Sequence, residues 1–433
     1  VLGDQDAAYL DAATIAATPH FADDALRVAR NLPGVAAGDF NAAFHVRGSQ
    51  QDEVSVRLDG FELYRPFHLQ SLLSAFSIID SNLIGGIDVY TGAWPSRLGG
   101  RSGAVMDIRS REPGSARERR IGVSAINSFY THAQRSEDDR LGLLASARVG
   151  YLDFVLDYID PNGTISPGYH DLFARTSYRL DDRHSLAFNL LSAGEDVLFD
   201  GDDGTERSDG RLQADYLWGT WRADWTPYLG SETVLGYSRL DRERVGFAFD
   251  PFESDVVVDD RRDLQGLRLA QRFEWLLDSG WLLDAGGEWR DESTDYAYFA
   301  QGEVFAPLSR TPQPLDREFV GRRDSRTLAI WLDGEKALGE GWTLRAGLRG
   351  VRHRVGEVRD RHVDPMLSLA WTPDARNILR LALSGVSQDQ RSDELQVEDG
   401  DSRFQPSERA RQWVLGWEHL GDSGLRWRIE AYA

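Results

Sequence analysis

The chain has 433 residues, no cysteine and a formal net charge of -21. The missing cysteines exclude disulfide scaffolds, thiolate metal sites and cysteine nucleophiles, and the acidity argues against a nucleic-acid partner, which wants a basic surface. Mean hydropathy is -0.44 and no run approaches the roughly 18 apolar residues of a transmembrane helix, so a helical membrane protein is excluded, whereas a membrane barrel, whose strands alternate and average to a hydrophilic profile, is not.

No basic segment followed by an apolar one stands at Val1, so for an exported protein the expectation is that the sequence starts after processing or later. The spacing of Ala25, Val28, Ala29 and Leu32 predicts a helix over Phe21–Leu32, with Asp23 and Asp24 in its first turn. Asn31-Leu32-Pro33-Gly34-Val35 stops it. A polar segment (Ala36–Asn41), a strand (Ala43–Arg47) and a turn (Gly48–Asp52) are expected next, then a strand (Val54–Leu58) closing on Asp59-Gly60. Tyr64–Gln70 reads as a loop around Pro66 and Leu72–Leu83 as a mixed helical segment. Ile87–Tyr90 and Val105–Arg109 read as strands with a glycine-rich hairpin between them. Glu112–Ala116 (EPGSA) joins breakers to small residues and marks a boundary, giving domains at 11–113 and 117–433.

Beyond that boundary the chain reads as strand after strand. In Trp342–Arg349 the residues Trp342, Leu344, Ala346 and Leu348 face one way, and Thr343, Arg345, Gly347 and Arg349 the other. Leu425–Ala433, Trp281–Arg290 and Met366–Thr372 repeat the alternation. Arginine and glutamate dominate the polar face, and tryptophan marks strand ends on the other, as a wet lumen and an aromatic interface belt require. Short turns are expected at Glu137–Asp139, Asp181–Arg183, Thr226–Gly230, Asp278–Gly280, Leu338–Gly341, Thr372–Arg376 and Leu420–Gly424. Long polar stretches alternate with them: Asp160–His170, Phe199–Arg211, Gly246–Arg262, Ala300–Ser325, Gly356–Arg361 and Gln388–Arg409. Acidic clusters at Asp200–Asp203 and Asp393–Asp401 read as solvated loops, with divalent-cation binding as the sharper alternative. If every short turn lies on one side, the first joins strands two and three, so Ile121–Arg135 must hold a hairpin bending near Asn127–Ser128. On that count about 15 strands have begun by Ala433. Barrels close on an even number, so the expectation is a barrel that is C-terminally incomplete.

The N-terminal residues resemble the plug domain of TonB-dependent receptors. The matching segments are NLPGV at Asn31–Val35, FHVRG at Phe44–Gly48, SVRLDG at Ser55–Gly60, GGIDVYTGAWPSRLGG at Gly85–Gly100 and SGAVMDIRS at Ser102–Ser110. Phe404–His419 resembles a mid-barrel strand of that family. The resemblance implies a mainly β protein: an α/β plug domain inside a transmembrane antiparallel β-barrel, with about 15 of about 22 strands present. It implies a bacterial outer-membrane receptor and transporter for energy-coupled uptake of a scarce substrate such as a siderophore, cobalamin or glycan. Its partners would be a TonB-type energy-transducing protein in the periplasm, an extracellular small-molecule or glycan ligand and outer-membrane lipid. No cofactor is implied. In such a receptor Arg47 would pair with acidic residues of the barrel wall and lock the plug. Thr91 stands where the family often has a second basic residue, so the expectation is either a weaker lock or substitution by Arg97 or Arg101. No convincing TonB-contacting box precedes Asp11, which leaves a surface receptor or adhesin without TonB coupling as the alternative.

The plug apex is the expected ligand platform. Phe40 and Asn41 follow the LPGV stop, and Tyr64, Arg65, Phe67 and His68 follow Asp59-Gly60. Together they form an aromatic and cationic cluster suited to an anionic or ring-bearing ligand, unless Tyr64 and Phe67 instead pack the plug core. His68 has no second ligand at metal spacing. No GxSxG, HExxH or Walker-type loop is present, and His45 and Ser49 lack an orienting Asp, so no enzyme is expected.

Overall fold

The computed structural model describes residues 7–18, 24–38, 41–70, 74–159, 164–201, 204–250, 254–305, 311–421 and 425–433. The first region builds nine short strands: β1 (Ala7–Asp11), β2 (Val35–Ala36), β3 (His45–Val46), β4 (Val54–Leu58), β5 (Phe61–Leu63), β6 (Phe67–His68), β7 (Phe76–Ser77), β8 (Ile84–Tyr90) and β9 (Ala104–Ser110). Five of them form one sheet in the order β1-β8-β9-β4-β5. β4 and β9 run parallel and the other pairs antiparallel. Ile87, Val89, Val56, Leu58, Met106 and Ile108 fill its core. Asp59 (φ 48°) and Gly60 (φ 83°) make the two-residue turn between β4 and β5, and left-handed backbone at both positions is what such a tight hairpin needs.

Three expectations for this region change, the smallest being that the expected loop Tyr64–Gln70 holds the two-residue strand β6. The helix predicted over Phe21–Leu32 is, among the described residues, a 3-10 turn at Ala25–Asn31. Ala25 through Ala29 are all buried, so the segment is packed on every side rather than along one stripe. Asp24 fixes its start, accepting from the Leu26 N–H at 3.0 Å and from the Ser77 N–H at 2.6 Å. The mixed helical segment Leu72–Leu83 is, over its described residues 74–83, instead β7, paired with β6, followed by a 3-10 turn at Ser81–Leu83. Phe76, Ser77, Ile78 and Ile79 are buried in a row, and an extended strand buries both faces where a surface helix buries one. β1 and the helix α1 (Ala12–Ala17) were not foreseen from the sequence; Asp11 caps α1 by accepting from the Thr14 N–H at 2.6 Å.

The second region is one fifteen-stranded antiparallel sheet in plain chain order. Its strands are β10 (Glu118–Val123), β11 (Asn127–Arg135), β12 (Leu141–Gly150), β13 (Ile165–Arg179), β14 (His184–Asp200), β15 (Glu206–Thr226), β16 (Leu229–Asp250), β17 (Ser254–Leu276), β18 (Leu282–Phe305), β19 (Pro312–Gly339), β20 (Trp342–Val355), β21 (Val358–Trp371), β22 (Asn377–Gln388), β23 (Glu408–Leu420) and β24 (Arg426–Tyr432). Every predicted short turn falls at a strand junction, beginning between β11 and β12, the second and third strands. The last of them runs into 422–424, outside the described residues. The first hairpin bends at 124–126, just before the expected site, where the Ser124 N–H donates to the Asn127 carbonyl at 2.8 Å. β10 and β24 are the two edges and do not pair with each other. Among the described residues no helix is long and apolar enough to cross a membrane.

The long polar stretches are mostly not loops. Phe199–Arg211, Gly246–Arg262 and Ala300–Ser325 lie largely within paired strands β14 to β19. A ladder of backbone hydrogen bonds does not depend on apolar side chains, so strands wetted on both faces lose their alternation and keep their pairing. Helix α2 (Leu152–Ile159) occupies part of one connection, and residues 389–407 between β22 and β23 remain irregular apart from a 3-10 turn at Val397–Asp399. Along β20 the two faces separate sharply: Leu348 is 55% exposed and Arg349 is 2% exposed. The buried face meets the first domain, which packs against the sheet from β12 to β24.

Candidate functional site

The candidate site is the seam between the N-terminal domain and the inner face of the sheet. Its apolar anchor is Phe61 on β5. The ring stacks on Trp218 of β15 with centroids 5.3 Å apart and meets Tyr216 edge-on. Gly236 on β16 leaves room for it, since a Cβ there would stand 2.2 Å from the Phe61 ring.

Beside this anchor lies a buried charge network. Glu62 faces Arg290 of β18 at 3.0 Å and Arg101 of its own domain at 3.8 Å. Arg290 in turn holds Glu288 at 2.6 Å, and Glu288 holds Arg268 of β17 at 2.6 Å. Arg268 donates back to the Gly60 carbonyl at 2.7 Å. Burial raises the cost of charging Glu62, but Arg290, Arg101 and Arg57 outweigh it and hold the carboxyl down at about 2. Among the described residues Arg57 has no carboxylate in contact; burial and the nearby Arg268 push its guanidinium down to about 10. Further round the sheet, Asp59 pairs with Arg175 of β13 at 2.7 Å. Ser96 donates its N–H and Oγ–H to Asp333 of β19 at 2.9 and 2.6 Å.

Of the residues expected to lock the two domains, Arg47 does bridge them. Its guanidinium meets Glu430 of β24 at 2.9 Å, donates to the Thr91 carbonyl at 2.5 Å and lies over the Tyr432 ring at 4.8 Å. Gly92 makes this possible, because a Cβ there would come within 2.7 Å of the Arg47 Nη1. Arg101 also bridges, reaching Glu394 at 3.2 Å in the 389–407 connection. Arg97 does not: its ion pair is with Asp107 at 3.3 Å, inside the N-terminal domain. β8 and β9 are neighbours, and the short turn Ser96–Leu98 between them folds Arg97 back onto β9 instead of out to the sheet.

The expected apical residues are brought to one end of the seam. Phe40 lies outside the described residues. Asn41 turns its Oδ1 back to the Ala43 N–H at 2.9 Å. Tyr64 is buried; its hydroxyl donates to Glu292 at 2.6 Å and its backbone N–H to the Tyr216 hydroxyl at 3.2 Å. Phe67 is buried too. His68 is 2% exposed, with Nε2 2.5 Å from Asp171 and Nδ1 3.5 Å from Glu195. Burial works against its imidazolium, yet the two carboxylates prevail and raise its pKa. Arg65 keeps some exposure and reaches Asp393 at 3.4 Å and Gln70 at 3.1 Å. In this conformation Arg65 and Asn41 alone of these described residues are open to an outside molecule.

What covers them was not foreseen. The 389–407 connection folds over the domain: Arg391 lies above the Tyr64 ring at 4.7 Å, and Leu395, Val397 and Phe404 pack with Tyr296, Tyr298 and Val355. The signal was there in three apolar residues set in an otherwise polar stretch. Among the described residues no group of three or more histidines, aspartates or glutamates is placed to hold a metal.

A sheet laid out as an up-and-down meander, its inner face occupied by a separate N-terminal domain held through buried ion pairs, has the layout of a plugged barrel whose two edges, β10 and β24, are not joined. Residues 5–105 match the family model described as the TonB-dependent Receptor Plug Domain. Among curated proteins none matches the chain in sequence. Several solved structures share the fold. A mutant of the ferric enterobactin receptor PfeA from Pseudomonas aeruginosa aligns at 15% identity and a TM-score of 0.73, covering 99% of this chain and 70% of that one. The ferric citrate transporter FecA gives 18% identity, a TM-score of 0.70, and coverage of 98% and 69%. The siderophore receptor PirA from Pseudomonas aeruginosa gives 15%, 0.69, and coverage of 99% and 74%. The N-terminal domain is thus similar to a TonB-dependent receptor plug, and the chain as a whole shares its fold with the solved receptors.

Proposed function

We propose that the protein is a bacterial outer-membrane transporter that imports a scarce, anionic small molecule, a ferric chelate first among the candidates, with work supplied by a TonB-type protein. The observation that carries this is the seam. A plug pinned by Glu62–Arg290, Asp59–Arg175, Arg47–Glu430 and Arg101–Glu394 does not leave by thermal motion, because breaking one buried pair costs about 3–5 kcal/mol. Ligand binding at the outer end cannot supply that for all of them, so passage calls for an outside source of work. The working domains are 11–113 for the plug and 117–433 for the barrel. The exposed residues Leu235, Leu267, Ile330, Leu381 and Trp413 form the lipid-facing band, and the short turns face the periplasm. Arg65 is the cation offered to the ligand, with Asn41 as a second polar group and Phe40 kept as a candidate contact, while Tyr64, Phe67 and His68 support the platform from below. The solved relatives named for ferric enterobactin and ferric citrate favour iron chelates over cobalamin or glycans. The test is uptake of radiolabelled ferric enterobactin and ferric citrate by cells carrying the full gene, with and without TonB. Uptake that survives loss of TonB would overturn the energy-coupled reading; uptake of neither chelate would overturn the substrate class.

A further inference from the structure

The plug accounts for the arginines on the inner face of the sheet but not for a group on the outer face. Arg326 of β19, Arg352 and Arg354 of β20, and Arg359 and Arg361 of β21 are exposed, alternating with buried Ser325, Val351, His353 and His362. The strand register sets them against one another. Arg326 lies opposite Arg354, Arg354 opposite Arg359, and Arg352 opposite Arg361. Residues directly opposed in an antiparallel pair have Cβ atoms about 4.5–5.5 Å apart, and like charges there are destabilising. Arg326 has Asp291 at 3.0 Å. The other four guanidinium groups form no ion pair among the described residues. Of the nearby carboxylates, Asp324 is engaged with Arg322 at 3.1 Å and Asp360 with Arg409 at 2.9 Å, which leaves Glu357 of the β20–β21 connection as one carboxylate on the same depression against four guanidinium groups.

The same rows run straight onto apolar surface. Leu328 stands opposite Arg352, and one row further from the loop end Ile330 and Val363 flank Gly350. These three are 50%, 65% and 65% exposed. The arginines, with Leu267, Trp289 and Leu328, line an open depression of about 1670 Å³. On a chain of net charge -21, rows of mutually repelling cations that outnumber the one carboxylate beside them and border an apolar surface call for further counter-charge from outside the chain. The border with apolar surface requires that counter-charge to belong to an amphiphile.

We propose that this outer rim is a binding site for the phosphate group of an anionic membrane lipid, whose acyl chains lie along Leu328, Ile330 and Val363. Arginine suits the role because its planar fork takes two phosphate oxygens at once. The site belongs to the leaflet on the side of the β20–β21 connection, away from the short turns. It rests on the membrane reading above.

The test titrates the detergent-purified full-length protein with dioleoylphosphatidic acid, dioleoylphosphatidylcholine and inorganic phosphate, and counts bound molecules by native mass spectrometry. The wild type is expected to retain phosphatidic acid about tenfold more tightly than phosphatidylcholine, a difference of about 1.4 kcal/mol. The variant Arg352→Gln/Arg354→Gln/Arg359→Gln/Arg361→Gln is expected to lose that preference, while Arg211→Gln, an exposed arginine on β15, keeps it. In lipid-free detergent the fourfold variant is expected to melt no lower than wild type, because it has lost repulsion and no attraction. A preference that survives in the fourfold variant, or inorganic phosphate bound as tightly as the lipid, would overturn the site. Failure of the wild type to enter phosphatidylcholine vesicles at all would overturn the membrane reading and the site with it, whereas entry without the preference overturns the site alone.

Discussion

The inner and outer faces of the fifteen-stranded sheet both carry arginine, in opposite company. Inside, Arg175, Arg268 and Arg290 each meet a carboxylate within 3.0 Å. Outside, Arg352, Arg354, Arg359 and Arg361 meet mainly one another. The difference follows from solvation. A buried guanidinium without a partner carries a desolvation cost of several kcal/mol, so the inner face is paired within the chain, across both domains. An exposed guanidinium is hydrated and tolerates a bad neighbour for a fraction of that, which leaves the outer face free to be completed by something that is not protein.

The largest effect should come from unbalancing the inner face. Glu62→Ala removes the buried carboxylate that Arg290 and Arg101 share and is expected to weaken plug seating by about 3–5 kcal/mol. Hydrogen exchange across β4 and β5 reads this directly; unchanged protection there would mean that the network does not hold the plug. Acid should act on the same group a little less strongly. With its carboxyl held at about 2 against an ordinary 4.5, Glu62 contributes stability that is full above pH 4.5 and is lost as pH falls through about 2, about 3 kcal/mol in all. Plug release followed by protease sensitivity from pH 5 downward is the check, with Glu62→Gln expected to flatten the curve.

Arg47→Gln removes one largely buried pair at the far edge but leaves Glu430 its pair with Arg428, so it should cost less, about 2 kcal/mol, seen as a lower urea midpoint for the plug with the sheet unaffected. An equal loss in both would mean that plug and sheet unfold as one unit. On the outer face, Ile330→Ala should move thermal stability in detergent by no more than about 0.5 kcal/mol. A loss comparable to that of Glu62→Ala would erase the contrast between the faces.

Much of this contrast was legible in the sequence, and the limits of legibility are physical. Turns are local, so Asp181–Arg183 or Thr372–Arg376 can be read from proline, glycine and aspartate alone. The alternation in Trp342–Arg349 distinguishes the faces because each residue's side is set by its neighbour. Where a strand rises beyond its apolar band, as in Gly246–Arg262, alternation fades and the pairing no longer leaves a trace. The plug segments were legible through their resemblance, and so was Arg47. Its partner Glu430 lies 383 positions away, and nothing local marks one glutamate among many. The apical cluster was legible as chemistry but not as exposure. Tyr64, Phe67 and His68 are covered by Glu292, Tyr216, Asp171 and the 389–407 connection, all of them distant in sequence. Arg97 was misassigned for the same reason in reverse, since its partner Asp107 lies close by on β9.

One consequence follows from the way the 389–407 connection lies over Arg65. Asp393 is tethered at both ends to the sheet and already supplies a carboxylate to that cation. For a ligand that uses Arg65, the competitor is therefore present at an effective concentration on the order of millimolar, whatever the composition of the medium. Abundant weak anions lose that contest, and only a molecule that brings further contacts displaces the chain's own carboxylate. The loop thereby sets a threshold of affinity below which the entrance stays self-occupied.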